Sequence, residues 1–544
     1  MSIASKLRCR GLTFVLITAL FFTLFQNALA LTAFWQAIAD TGQQHWIFMA
    51  TIPVTLFCAL NIIFSLLLLP WLRKPLAIIL LLGGAYVNYV MYSFNVVIDR
   101  NMMQNALETD YQEIMALITP KMMLWLLLLG VLPSILVIVV KIQPAQHWLK
   151  AAGARLANIG FSLLIILVIA FFCYKDYAPL IRNHPHLVKM LVPTNYISGL
   201  TSALKREVES HKPLVDIGMD AHEGSVIKQE PKKTLVILVV GETARAANFS
   251  LGGYPRETNP RLKQNNVIYF PHVTSCGTET AVSVPCMFSD MTRKEYDAVK
   301  AAHQEGLMDI VARAKVSVLW RENDGGCKGA CDRIPHQDIT QLNPDGLCHN
   351  GSCYDDALLS KLDNYINSLK NDGLIVLHQM GSHGPAYFER YPSEYRQFTP
   401  TCDSNQIQDC DHQSLMNTYD NTLLYTDAML DKTLNLLKSH QQKFATALVY
   451  LSDHGESLGE KGLYLHGTPY LLAPDEQTHI PFLMWMSDDY KKDYQVDSRC
   501  LEHKAQQQEF SQDNLFHTIL GMLDIKTQEY KSELDILQGC RAQE

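Results

Sequence analysis

Five stretches in the first third of the chain contain no Asp, Glu, Lys or Arg, and nothing else in the sequence constrains the fold as much. They cover residues 11–39, 41–72, 75–98, 122–140 and 156–174. Each supplies the roughly 20 residues that a helix needs to cross about 30 Å of hydrocarbon. Residues 1–176 are therefore expected to form a transmembrane domain of five helices. The chain average conceals this, because 48% apolar residues and a mean hydropathy of +0.01 would suit an ordinary globular protein. Lys6, Arg8 and Arg10 precede the first stretch, Arg73 and Lys74 separate the second from the third, and Lys141, Lys150 and Arg155 separate the fourth from the fifth. Short loops rich in Lys and Arg stay cytoplasmic, so an odd number of spans places everything after Tyr174 outside the cytoplasm. Ala28-Leu29-Ala30 resembles a signal-peptidase site, but the apolar pattern continues through Phe34 and Ile38. Cleavage there would not alter the sidedness.

Cysteine placement agrees with that topology. Cys9, Cys58 and Cys173 fall in or beside the apolar stretches and read as small apolar residues. The other ten are near neighbours, Cys276 with Cys286, Cys327 with Cys331, Cys348 with Cys353 and Cys402 with Cys410, leaving Cys500 with Cys540. An even set of this kind in an extracytoplasmic domain implies disulfides and an oxidising compartment such as a bacterial periplasm. A structural zinc site made by Cys327, Cys331, Cys348 and Cys353 is the competing reading, weakened by the lack of any Cys-x-x-Cys spacing. A net charge of −8 with no basic stripe excludes nucleic acid as the expected partner.

Residues 99–121 form an external polar loop between the third and fourth spans. Within it Asn105, Thr109 and Glu113 recur every four residues and would share one face of a helix. Spacing alone allows either a solvated face or contact with a lipid headgroup. Residues 177–233 read as an amphipathic bridging helix followed, from 212, by a less regular linker. From Thr234 onward, short β-branched runs at 234–240, 316–320, 374–377, 445–451 and 480–485 alternate with helical segments such as 356–369 and 414–437. Residues 234–544 are thus expected to be an α/β domain with a mostly parallel central sheet.

In such sheets ligands bind beyond the carboxyl ends of the strands. The first run leads into Glu242, the third into His378-Gln-Met-Gly-Ser-His383, and the fourth into Asp453-His454. Two carboxylates with imidazoles suit a borderline divalent ion, zinc before manganese. Glu242, Asp453 and His454 supply three ligands. The hydroxyl of Thr280, in Cys276-Gly-Thr-Glu-Thr280-Ala-Val-Ser-Val-Pro-Cys286, supplies a fourth that metal binding would help to ionise. Taken singly, each residue has a plainer use: Asp-His-Gly as a capped turn, Glu242 as a complement to a helix dipole.

These motifs, with Gly241-Glu-Thr-Ala-Arg245, Gly381-Ser-His-Gly-Pro385, Ser452-Asp-His-Gly-Glu-Ser457 and Tyr464-Leu-His466-Gly, closely resemble the lipid A phosphoethanolamine transferases. That family includes EptA and the mobile colistin-resistance enzymes and lies within the alkaline phosphatase and sulfatase superfamily. The likeness covers essentially the whole chain. It implies one tightly bound zinc on Glu242, Thr280, Asp453 and His454, with a second ion able to join during turnover. It implies further that His383 and His466 contact the phosphoryl group or a second metal, that Lys328 binds the headgroup, and that Asn105, Thr109 and Glu113 contact lipid. The implied reaction moves phosphoethanolamine from phosphatidylethanolamine to a lipid A phosphate through a covalent Thr280 intermediate. It would be carried out by a monomer in the inner membrane with its catalytic domain in the periplasm, and it would confer polymyxin resistance. Transfer to a core sugar, or of a phosphoglycerol group, is the nearest alternative, and a non-catalytic membrane sensor is a more distant one. Sulfatase activity is disfavoured because Cys286 is followed by Met-Phe-Ser rather than by the pattern that yields a modified nucleophile.

Overall fold

In a computed structural model the chain divides into two compact units, one built from residues 1–104 and 118–203, the other chiefly from 204–544. The structure describes residues 8–541 apart from 40–45, 95, 97–101, 103–114, 116–117, 145, 184–185, 210–212, 227–231, 345 and 350–351. Asn105, Thr109 and Glu113 lie outside the described residues.

Among the described residues of the first unit, four helices are long and apolar enough to cross a membrane: Trp46–Leu67, Arg73–Phe94, Pro120–Val139 and Trp148–Cys173. The stretch expected to be the first span is bent, with Gly11–Gln26 and Ala28–Ala39 meeting at 59°, so a count of five holds only when that pair is one span. The bend has an identifiable cause. Asn27 leaves the helical well at φ −110°, ψ 15°, and its side chain donates to the Phe22 and Val192 carbonyls while accepting from the Val192 N–H at 2.8 Å. Gln26 beside it donates to the carbonyls of Leu81 and Leu129. The amide N–H groups of both side chains and the Asn27 oxygen therefore find partners inside the protein, as hydrocarbon surroundings require, while Gln26 Oε1 is buried without one.

The bridging segment is helical, with Trp148–Asn183 running on beyond the apolar stretch and Thr194–Glu209 following it. The expected irregular linker is partly ordered against the second unit. Val215 pairs with Gln304, and His222–Glu223 pairs antiparallel with Ile525–Lys526. Its backbone groups are thus satisfied by neighbouring strands rather than by water.

The second unit is built on a seven-stranded sheet. In chain order its strands are β1 Lys233–Gly241, β2 Ile268–Phe270, β3 Ser317–Glu322, β4 His336–Asp338, β5 Gly373–His378, β6 Phe444–Ser452 and β7 Phe482–Met486. The spatial order is β2-β7-β6-β1-β5-β3-β4. Pairings from β6 through β4 are parallel, whereas β7 runs antiparallel to both β6 and β2. The sheet is therefore mixed, and the run at 480–485 is the one that reverses. A strand buried on both faces reads as a continuous apolar run in either direction, so its composition carries no polarity. Val236, Leu238 and Val240 of β1 enter the core on one face, and Leu235, Ile237 and Val239 enter the core on the other. The long helix His412–Ser439 covers the second of these faces close to where the sequence placed it. The segment 356–369 instead splits into a turn, Asp355–Leu359, and a short helix, Leu362–Ser368, with Lys361 between them at φ 58°.

Candidate active site

Because β6, β1 and β5 are parallel and in register, Ser452 lies opposite Gly241 and His378 opposite Val240. The residues just after the three strands therefore emerge at one edge. Glu242, Asp453 and His454 are wholly buried there, with one ligand-type atom from each lying within 4.8 Å of the others. Nε2 of His454 is 3.4 Å from Glu242 Oε1 and 3.3 Å from Asp453 Oδ2. The Thr280 hydroxyl donates to Glu242 Oε2 at 3.0 Å and lies 3.4 Å from His454 Nε2.

Local hydrogen bonds set these orientations. Nδ1 of His454 lies 2.9 Å from the Gly455 carbonyl. A carbonyl only accepts, so the proton sits on Nδ1 and the Nε2 lone pair faces the cluster. Asp453 Oδ1 accepts from the N–H groups of Thr243 and His454 at 3.2 and 2.7 Å. Its other oxygen, Oδ2, and Glu242 Oε1 are buried with no hydrogen-bond partner. Burial, and then the charges of Asp453 and Asp324, push the Glu242 carboxyl well above its ordinary range. Burial likewise pushes His454 down to about 4. Two adjacent buried carboxylates, a lone pair and a hydroxyl fit a divalent cation, which would offset the cost of burying them together.

Thr280 opens the helix Thr280–Met287 after an extended Glu279, and the Cys276–Cys286 disulfide closes the loop around it. Ser283 adds a second clasp by accepting from the Gly277 N–H at 2.9 Å. Thr278, two residues earlier, is committed elsewhere, since its hydroxyl donates to the Thr468 carbonyl at 2.7 Å. The same contact ties the loop to the turn carrying His466, whose ring centroid is 4.4 Å from that of His454 and 5.7 Å from that of His383. Nδ1 of His466 is 3.4 Å from Glu456 Oε1. Although burial works against its charge, the Glu456 carboxylate holds His466 above the ordinary imidazole range. His383 moves the opposite way, driven well below that range by burial and then by the charges of His466, Arg390, His454 and Lys328. Lys328 donates to the Gly325 carbonyl at 2.8 Å and borders a cavity of about 150 Å³ lined also by Pro285 of the Thr280 helix and by Phe288, which follows that helix. The remaining paired cysteines, Cys327–Cys331, Cys348–Cys353, Cys402–Cys410 and Cys500–Cys540, are disulfides as well.

Two positioning residues carry no sequence signal. Gln512 donates to the carbonyls of Ser452 and Asp453 at 2.9 and 2.7 Å and accepts from the Cys276 N–H at 2.7 Å, joining the Thr280 loop to the Asp453 turn. Gln477 donates to Ser457 and the Leu465 carbonyl and accepts from the Thr468 N–H, bracing the His466 turn.

A mixed sheet with a hydroxyl, two carboxylates and an imidazole gathered at its strand ends has the alkaline-phosphatase and sulfatase build, and the sulfatase family profile matches residues 234–525. The profile for phosphoethanolamine transferase EptA/EptB matches residues 56–208. Phosphoethanolamine transferase EptA of Escherichia coli K12 is 51% identical over 97% of both chains. Phosphatidylethanolamine transferase Mcr-1 of Escherichia coli is 39% identical over 87% of this chain and 89% of its own. The structure of the integral membrane protein lipooligosaccharide phosphoethanolamine transferase A from Neisseria meningitidis superposes with a TM-score of 0.95 at 41% identity, over 99% of this chain and 100% of that one. The chain belongs to the phosphoethanolamine transferase family.

Proposed function

We propose that this protein moves phosphoethanolamine from phosphatidylethanolamine to a phosphate of lipid A, by way of an ester on Thr280. The observation that carries the reading is the Thr280 hydroxyl, 3.0 Å from Glu242 and 3.4 Å from His454, while the neighbouring Thr278 hydroxyl is taken by a carbonyl. Glu242, Asp453, His454 and Thr280 would hold one zinc ion, which when bound lowers the hydroxyl pKa and offsets charge on phosphoryl oxygens. Glu242 Oε2 takes the hydroxyl proton as Oγ of Thr280 bonds to phosphorus. The phosphorus–oxygen bond to the diacylglycerol breaks, and the departing oxygen takes a proton from His466, whose charged form the Glu456 carboxylate favours. Neutral His383 accepts a hydrogen bond from the ammonium of the headgroup, and Lys328 binds its phosphoryl oxygens. A lipid A phosphate oxygen then attacks the same phosphorus, its proton passing to His466, and the bond to Thr280 Oγ breaks as that oxygen takes its proton back from Glu242. Such a reaction is mostly positioning and electrostatics, which this rigid and buried set of groups supplies.

In this reading the protein is a monomer in the bacterial inner membrane with five spans, the bent pair counting as one. Residues 1–176 form the membrane domain, 177–233 the bridge, and 234–544 the periplasmic catalytic domain. Asn105, Thr109 and Glu113 face lipid. Each phosphoethanolamine added makes the outer surface less anionic and weakens its binding of polymyxins.

Intact-mass measurement of the full chain after incubation with phosphatidylethanolamine should show one phosphoethanolamine adduct, absent from Thr280→Ala. An active enzyme that never carries the adduct refutes the covalent step. Mass spectrometry of lipid A from cells making the protein should show the same addition; finding it on a core sugar instead would overturn the acceptor assignment.

A further inference from the structure

Glu242 belongs to two clusters of ligand-type atoms. One is shared with Asp453 and His454, the other with Asp324 and His378, and in each the three atoms lie within 4.8 Å of one another. His378 ends β5 and is wholly buried. Its Nδ1 lies 3.0 Å from Glu322 Oε2. That carboxylate is itself fixed, its Oε2 accepting from Trp320 Nε1 and its Oε1 from the Asp324 N–H, both at 2.8 Å. Since a carboxylate accepts, Nδ1 of His378 carries the proton. The opposite nitrogen, Nε2, is buried with no hydrogen-bond partner, and so is Asp324 Oδ1. A carboxylate behind an imidazole whose other nitrogen faces further carboxylates is the arrangement by which proteins orient histidines on metals. The Asp324 loop is braced as well, with the Asn323 N–H donating to the His378 carbonyl at 3.0 Å and its side chain donating to Asp355 at 2.8 Å.

We propose that Glu242, Asp324 and His378 form a second divalent-cation site, separate from His383 and His466, with the Glu242 carboxylate shared between this ion and the first. Two carboxylates and one imidazole suit manganese or zinc. Glu322 is the positioning residue for His378. A second cation here would draw charge from the Glu242 carboxylate that accepts from Thr280. The proposal rests on the reading that Glu242, Asp453 and His454 hold the first ion.

The test is titration of chelator-stripped, full-length protein in detergent with manganese(II), read by metal analysis and electron paramagnetic resonance. Two equivalents should bind, and the spectrum should show coupling between ions bridged by one carboxylate. Asp324→Asn and His378→Gln should each bind one equivalent and lose the coupling. Glu322→Gln removes no ligand, so it reports even where His378→Gln fails to fold, and it should weaken only the second ion, by about 10–100-fold. One equivalent in the unaltered protein, two equivalents unaffected by these variants, or a doubly protonated His378 in the loaded protein by nitrogen NMR would overturn the proposal. Failure of the first-site reading looks different: no ion binds at all, or Asp453→Asn retains both.

Discussion

At the scale of single residues, the legible positions are those immediately after a strand. Glu242, Asp453 and His454 could be read from sequence because β1 and β6 announce themselves as apolar runs and the next residues must lie at the sheet edge. Gln512 could not, since a side chain that bridges three backbone groups from 236 and about 60 positions away leaves no period or motif. Gln512→Ala should leave the carbonyls of Ser452 and Asp453 unmet, cost about 1–3 kcal/mol, and lower kcat by more than tenfold with little change in KM, as misplacement of Thr280 requires. Steady-state kinetics beside a thermal melt separates this from simple unfolding, because a melt shift with unchanged kcat would show Gln512 to be structural only. His517 gives a prediction of another kind. Its Nδ1 accepts from the Lys531 N–H at 3.2 Å, and burial, then the Lys531 charge, push it down to about 4. An unfolded histidine protonates near 6.5, so the unfolded chain binds more protons between these values. Stability is therefore full above about pH 6.5 and is lost as pH falls toward 4. His517→Gln should flatten the melting temperature against pH in that window by the equivalent of about 1 kcal/mol; an unchanged slope would remove His517 as the cause.

At the scale of elements, periodicity located strands and the long helix but not direction or breaks. β7 reverses, and the helix expected at 356–369 is interrupted at Lys361, because a left-handed residue inside an apolar period leaves no mark in the pattern. The bend at Asn27 is a similar case: one asparagine in a charge-free stretch looks like a tolerated polar residue until its partners at Val192 are known. In the proposed reaction the element that matters most is the short helix Thr280–Met287, eight residues with Pro285 inside it, too short to hold its own position. Its start is fixed from outside, by the Cys276–Cys286 disulfide, by Ser283 on Gly277, and by Gln512 on Cys276. Cys276→Ala with Cys286→Ala should cost about 2–3 kcal/mol by loop-closure entropy. The same pair should reduce adduct formation on Thr280 by more than tenfold, while the disulfide Cys500–Cys540 remains intact by mass mapping. Adduct formation at the original rate would show that the hydrogen bonds alone hold the helix.

At the scale of the whole molecule, the division into two units is written in composition, apolar and charge-free early, mixed later, but the boundary is not. It falls at 203/204, inside the amphipathic helix Thr194–Glu209, where neither hydropathy nor a run of Gly and Pro marks a change. The two units should respond to different agents. All five disulfides and the clustered carboxylates Glu242, Asp453 and Asp324 belong to the second unit. Stripping metal leaves those carboxylates buried beside one another, and neighbouring buried charges of one sign destabilise a fold by several kcal/mol unless a cation or protons compensate. Calorimetry of the full chain in detergent should therefore show a transition that falls on chelation and recovers with zinc. At a free concentration 100 times its dissociation constant, zinc adds about 2.7 kcal/mol, worth several degrees for a unit of this size. Reductant should lower the same transition, whereas the transition of the helical unit should move with neither agent. If zinc shifted both transitions equally, or neither, the buried acids of the second unit would not be its binding site.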